Sequence, residues 1–366
     1  MSMIDPDRLL ELFITITSIN SYYPDEGRVA EVLRSRLAPT GLQFVADEHR
    51  NLLGYWPGTG ELADHDPVLL CAHMDTVIPT TDMRPVIRDG AVHTDGSSVL
   101  GADDKAAVAA IVEAAVAIAD AGLAHPPVEV LFTVGEDIGH IGSKAFDVSP
   151  VRSAMAFIPD IGGPVGLISL AAPGGETVKV KFHGRAAHAG LEPEEGRSAI
   201  AMAAAAVHAM QLGRLDHETT ANVGVISGGE AANVIPAEAE ITMQVRSIDP
   251  DKKQAAKQRM LDSCGEAAAA GRGTIEHETV FRADGFRFQP TDAIVLRAES
   301  AIRAAGREPQ HTITCGGSDA NELNAKGLPT VVISVGYRDI HTNEESMPID
   351  ELNCLAEVCA ALMLAR

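Results

Sequence analysis

Five short segments, each closing an apolar run, carry the residues most suited to chemistry: CAHMDTV with His73 and Asp75, LGADDKAA with Asp103 and Asp104, TVGEDIG with Glu136 and Asp137, FIPDIGG with Asp160, and DIHTNEE with His341. Together they describe a cage for two divalent metal ions. Neutral ring nitrogens and hard oxygens suit Zn²⁺ first, and Mn²⁺ or Co²⁺ as well, and no cysteine is needed in such a set. His73 and Asp75, two apart at a strand end, point to the same side, so one can bind metal while the other braces it and fixes its tautomer. Asp103 and Asp104 precede an Ala-rich helix. Capping favoured by the helix dipole explains one of these acids better than two, and Lys105 beside them is expected to neutralise the second. Glu136 and Asp137, between an apolar strand and glycines, read either as turn residues or as a divided pair, one holding metal and the other free as a general base.

The elements that must position these residues follow from periodicity. Residues 6–38 read as helix, GLQFVADE and NLLGYWPG as strands, and PVLLCAH as a buried strand stopping at His73. An Ala-rich helix follows Asp104, and PVEVLFTVGED and AMAFIPDIGG are further strands ending in acids. Ligands at the carboxyl ends of strands are the arrangement of an open α/β sheet. After about residue 174 the order becomes strand-helix-strand-strand-helix-strand with alternating apolar positions, close to a split β-α-β sandwich. TVVISVGYRDIHT then supplies a strand of the first domain again. We therefore expect a domain of residues 1–174 and 285–366, interrupted by an inserted domain of residues 175–284. His188, Asn233 and Arg246 lie in the insertion: His188 reads as a surface imidazole, and Asn233 and Arg246 as a turn amide and an exposed base or as a pair that recognises a substrate carboxylate.

Composition narrows the functional classes. At 366 residues two domains are the default. With 29 Lys+Arg against 51 Asp+Glu and a net charge of −22, the chain lacks the basic face that nucleic acid requires. The start, MSMIDPDRLLELF, has acids where a signal peptide needs bases, and no stretch has the apolar length of a membrane span, so a cytoplasmic protein with no membrane partner is expected. Five scattered cysteines without a CxxC pair suit reduced thiols, and Cys71, the last apolar position before His73, suits core packing.

AHMDTV, DGSSVLGADDKAA, VLFTVGEDIGHIGSKAFD, HGRAAHAGLEPEEGRSAI, GGEAANVIP, GGSDANELNAKGLPT and HTNEE stand in an order and approximate spacing that resemble the M20 family of dinuclear metallopeptidases, most closely its peptidase T-like (tripeptide aminopeptidase) branch. The resemblance runs nearly the whole length. It implies an α/β, zinc-peptidase-like catalytic domain with a central mixed sheet flanked by helices, and an inserted α+β, ferredoxin-like dimerisation or lid domain. It also implies roles. Asp103 would bridge two metals, His73 and Asp160 would complete one site, and Asp137 and His341 the other. Glu136 would be the general acid/base, Asp75 would orient His73, and the Asp103–Asp104 peptide would be cis. His188 would reach into the partner's site of a homodimer formed through residues 175–284. Asn233, Arg246, Gly317 and Ser318 match positions implied to bind substrate.

One departure bears on the cage: Asp137 stands where the family usually has Glu, shortening the reach by about 1.5 Å, so the second site is expected to be the weaker. Ala107 in place of a common glycine matters less. The expected reaction is hydrolysis of short peptides, tripeptides foremost, by a metal-bridged hydroxide formed when Glu136 takes a proton from water. The alternatives are an M20-type carboxypeptidase or N-acyl-amino-acid amidohydrolase and, from another class, a non-catalytic dimeric binding protein. Glu136 speaks against the last, since a binding protein has no use for a free base.

Overall fold

The first apolar stretch is two helices, not the single one expected over residues 6–38. Helix α1 (Pro6–Thr17) starts on Asp5, whose carboxylate accepts the N–H groups of Asp7 and Arg8, and α2 (Gly27–Leu37) follows an irregular stretch. Pro24 is the physical reason: it removes a donor and drives Tyr23 out of the helical region, and the Tyr23–Pro24 peptide is cis. The computed structural model describes residues 3–79, 83–314 and 316–364.

The first unit is built on an eight-stranded sheet. Its strands are β1 (Gln43–Ala46), β2 (Leu52–Trp56), β3 (Val68–His73), β4 (Val128–Thr133), β5 (Ala156–Ile161), β6 (Leu167–Ser169), β7 (Gln310–Thr312) and β8 (Thr330–Ser334). They lie in the order β1-β2-β4-β3-β5-β8-β6-β7. The central four, β4, β3, β5 and β8, run parallel to one another, while the β1/β2, β2/β4 and β8/β6 pairs are antiparallel, so the sheet is mixed as expected. Every residue of β3, β4 and β8 is buried. Such runs of Val, Leu and Ile form strands covered on both faces, as a parallel sheet requires.

Helix α3 (Ala102–Asp120) is almost wholly buried, and its small side chains let α1 and the last helix of the unit (Ile349–Met363) approach it closely. Beyond the acidic pair at its start, its buried acid Glu113 is neutralised by Arg8, with Nε and Oε2 2.7 Å apart. Asp103 and Asp104 have non-helical backbone angles, the peptide between them is cis, and Gly101 before them has φ +71°, so the regular helix starts only after the acidic pair.

The second unit holds Ala171–Arg287, a few residues more at each end than the expected 175–284. Strands Ala171–Ala172 and Phe286–Arg287 pair antiparallel, which draws both crossings into this unit. Its long strands, Gly174–His183, Thr219–Gly228, Glu238–Ser247 and Thr274–Ala283, form one antiparallel sheet in which the first strand lies between the third and fourth and the second flanks the third. With helices Ala199–Ala209 and Pro250–Ala270 this is the ferredoxin-like order. Val178, Val180, Phe182, Ile241 and Met243 from the strands meet Ala203, Ala206, Met260 and Cys264 from the helices in a separate core.

Cys71, Cys264, Cys354 and Cys359 are free and buried, and Cys71 packs in the sheet as expected. Cys315 lies outside the described residues. Among the described residues, no helix is long and apolar enough to cross a membrane.

Candidate metal centre

Because β4, β3, β5 and β8 are parallel and adjacent, their carboxyl ends share one edge of the sheet, and each delivers part of the cage. His73 is the last residue of β3, Asp160 sits near the end of β5, Glu136 and Asp137 follow β4, and His341 follows β8. Asp103 joins them from the start of α3. The Asp103 carboxylate is split between two imidazoles: Oδ1 lies 3.3 Å from His73 Nε2 and Oδ2 lies 3.2 Å from His341 Nε2. On the first side Asp160 Oδ1 is 3.9 Å from His73 Nε2, and on the second Asp137 Oδ1 is 3.2 Å from His341 Nε2.

These donors fit divalent ions. Ligand atoms on a tetrahedron with bonds of about 2.0–2.2 Å stand about 3.3–3.6 Å apart, close to the shorter separations here, and the longer one suits a more open angle. Asp137 Oδ2 and Asp104 Oδ1 are buried without a hydrogen-bond partner, a costly state for carboxylate oxygens that a cation would relieve. Two triads, His73/Asp104/Asp160 and Asp103/Asp137/His341, bring their ligand atoms within 4.8 Å of one another. Asp137 thus meets His341 and Asp103 in spite of its shorter side chain.

Residues 170–272 match the M20 peptidase dimerisation domain. The chain is 39% identical to protein YqjE of Bacillus subtilis, over 99% of each chain. Aminopeptidase PepT from Bacillus cereus has the same fold with TM-score 0.93 and 34% identity, covering 100% of this chain and 99% of that one. A tripeptidase from Staphylococcus aureus has TM-score 0.95 and 33% identity over 100% of each chain. The chain belongs to the M20 peptidase family, in its peptidase T-like branch.

Around the cage of this M20 metallopeptidase the polar groups are arranged in layers. His73 Nδ1 donates to the Asp75 carbonyl at 3.1 Å, and Nε2 of the same ring faces the Asp103 carboxylate at 3.3 Å. The Asp75 carboxylate does more than brace that ring. It lies 3.4 Å from Nδ1 and also accepts the backbone N–H groups of Glu136 at 2.9 Å and Asp137 at 3.1 Å, so one side chain staples the β3 end to the acidic pair. Burial opposes a charge on His73, but Asp103 and Asp75 outweigh it and raise that imidazole well above its ordinary range. Hydrogen bonding to the Asp103 and Asp137 carboxylates pushes His341 up to about 10. Burial, with Asp160, Asp319 and Asp137 nearby, raises the Glu136 carboxyl well above the usual carboxylate range against the opposing pull of His73.

Lys105 does not neutralise Asp104. Its ammonium is fully buried and donates to the Ile19 carbonyl at 2.8 Å, because the chain turns at Asp104 and sends the next side chain the other way. Asp104 instead accepts the His73 N–H through Oδ2 at 3.3 Å.

The residues expected outside the cage fall as follows. His188 is exposed, in a short strand paired with Val234–Ile235, and Ala189 donates to the Asn233 carbonyl, so His188 and Asn233 are neighbours. The His188 Nδ1 accepts the N–H groups of Gly190 and Leu191, each at 3.1 Å, which leaves Nε2 as the outward donor. Arg246 is half-buried with Nε on the Gln244 side-chain oxygen at 2.9 Å. Gly317 belongs to the second unit and Ser318 to the first. Ser318 is buried and forms a capping box with Asn321 at the start of the helix Asp319–Ala325, so the structure gives its hydroxyl a capping role.

Several supporting residues lay beyond sequence reasoning. Glu345 receives the N–H groups of Gly101 at 2.8 Å and Asp103 at 3.1 Å, holding Asp103 from 242 positions away. Asp319 takes hydrogen bonds from Thr133 and Ser143, and Asn51 accepts from Val134 N–H and donates to the Gly142 carbonyl, so both grip the turn that carries Glu136.

Glu26 accepts the Gly135 N–H through Oε1, while its buried Oε2 has no partner. Burial raises its carboxyl to about 7. An acid with a raised folded pKa stabilises the fold below its unfolded pKa and loses that contribution as pH rises through the folded value. Glu26→Gln cannot titrate, so its thermal midpoint relative to wild type should climb between pH 5 and pH 8, by a few degrees, in matched melting curves. A pH-independent difference would show that Glu26 does not ionise in this range.

Proposed function

We propose that this M20 peptidase is a dinuclear metal-dependent aminopeptidase that removes the N-terminal residue from short peptides, tripeptides foremost. The observation that carries the reading is the division of the Asp103 carboxylate between His73 and His341, with Glu136 beside the pair and outside the ligand set. His73, Asp103 and Asp160 would hold one ion and Asp103, Asp137 and His341 the other. Divalent ions there, Zn²⁺ first and Mn²⁺ or Co²⁺ next, would supply Lewis-acid polarisation of the scissile carbonyl and a water of lowered pKa. Glu136 then takes a proton from the attacking water and returns it to the amine nitrogen as the C–N bond breaks. Asn233, Arg246, Gly317 and Ser318 would bind substrate. The inserted unit would form a homodimer, with His188 of the partner subunit as an oxyanion donor. The names of PepT and of the staphylococcal tripeptidase support aminopeptidase action and the tripeptide preference.

The test is product analysis on a tripeptide carrying different labels at its two ends, with metal restored to chelator-treated protein. Release of the N-terminal residue is expected. Release of the C-terminal residue would make the chain a carboxypeptidase, and cleavage only of N-acyl amino acids would make it an amidohydrolase.

The two ions should not leave together. The His341 side chain is 47% exposed and that of His73 2%. Water and chelator therefore reach the Asp137/His341 ion first, and dialysis against a mild chelator should give a singly loaded form retaining the His73/Asp160 ion. Loss of both ions with one affinity, read by elemental analysis, would contradict this order.

A further inference from the structure

Glu136 faces a second histidine that lies outside the cage. His140 Nε2 stands 3.3 Å from Glu136 Oε1, and Nδ1 of the same ring stands 3.6 Å from Glu322 Oε1. The imidazole therefore lies between two buried carboxylates, and its own side chain is only 16% exposed. Glu322 Oε1 has no hydrogen-bond partner, and the Lys144 ammonium stands 3.8 Å from it.

The backbone is shaped to place this ring. His140 has φ +58°, a left-handed conformation that histidine enters more readily than most side chains with a Cβ. The Glu136 carbonyl accepts the N–H groups of Gly139 at 2.9 Å and His140 at 2.8 Å, closing a tight turn that folds the ring back over Glu136. Immediately after it the short helix Ile141–Ala145 packs against Asp319–Ala325, the helix that carries Glu322.

We propose that His140 is a positioning residue that holds the Glu136 carboxylate in the direction proton transfer requires, with Glu322 fixing the ring from behind. The inference rests on the reading above that Glu136 moves the proton. A glutamate side chain rotates about three bonds. An imidazole 3.3 Å from one of its oxygens restricts that rotation and fixes the direction in which the carboxylate points.

His140→Gly tests this cleanly, because glycine accepts the left-handed backbone and removes only the ring. With a tripeptide substrate it should lower kcat roughly ten-fold or more, leave KM within about two-fold, and retain the wild-type metal content and thermal midpoint. In the Glu136→Gln background the same change should cost less than about two-fold, since groups acting as a unit are not additive. Two results would overturn the proposal: a His140→Gly enzyme with kcat within two-fold of wild type, or a loss that multiplies undiminished in the Glu136→Gln background. The outcomes also separate the two readings. If Glu136→Gln alone keeps its kcat, the proton-transfer role of Glu136 fails. If Glu136→Gln collapses while His140→Gly does not, only the role of His140 fails.

Discussion

Glu136→Gln is expected to lower kcat on a tripeptide by at least about 100-fold while both metal ions stay bound. The amide keeps the size of the side chain and loses the ability to carry a proton, and Glu136 is outside both ligand triads. Its neighbour makes the contrast sharp. Asp137 touches His341 at 3.2 Å, so Asp137→Asn should lose the second ion and activity together. Steady-state kinetics with elemental analysis of each variant separates the two acids. Loss of one ion from the Glu136→Gln protein would exchange their roles.

Mixing two inactive variants should restore activity if His188 serves the neighbouring subunit. Its Nδ1 is already occupied by two backbone N–H groups, so the outward Nε2–H is the part free to meet a developing negative charge. In a C₂ dimer the exchange is reciprocal and each site borrows one histidine. A hybrid of a Glu136→Ala subunit and a His188→Ala subunit then has one complete site: the His188→Ala subunit keeps Glu136 and receives His188 from its partner. Random pairing makes about half the dimers hybrids, so equal mixing should recover roughly a quarter of wild-type activity. Exchange confirmed with mass-tagged subunits, but with no return of activity, would place His188 within its own chain's site or outside the reaction.

The cage was legible in the sequence because each parallel strand is a short apolar run and its ligand follows at the end, so hydrophobicity and chemistry change at the same residue. His73 at the end of VLLCAH and Asp160 in AFIPDI are the plainest cases. The inserted unit was legible from alternation over strands such as EITMQVRS, whose side chains are buried on one face only. The broken first helix was signalled by Asn20, Ser21 and Pro24, turn residues that the apolar positions on either side outweighed. The layer behind the cage was not legible. Glu345 reaches Asp103, and Asp319 reaches Thr133, across 242 and 186 positions, and no local pattern marks a side chain whose partner is set only by the packing of helix on sheet. The direction of Lys105 likewise depends on a backbone turn at Asp104 that spacing does not reveal.

The insertion also sets the order in which this enzyme can be made. Strand β8, His341 and helix Ile349–Met363 belong to the first unit, yet they follow the whole of Ala171–Arg287 in the chain. A ribosome adding about 5–20 residues per second needs on the order of ten seconds to deliver that stretch. The inserted unit has its own core and all four of its long strands by then. Meanwhile β5 lacks β8 along one edge, and α3 lacks the C-terminal helix that covers its alanines. A nascent chain at this stage carries His73, Asp103, Asp137 and Asp160 but not His341, so its apolar half-sheet, with no complete metal cage to tie it together, is the species that a chaperone would meet.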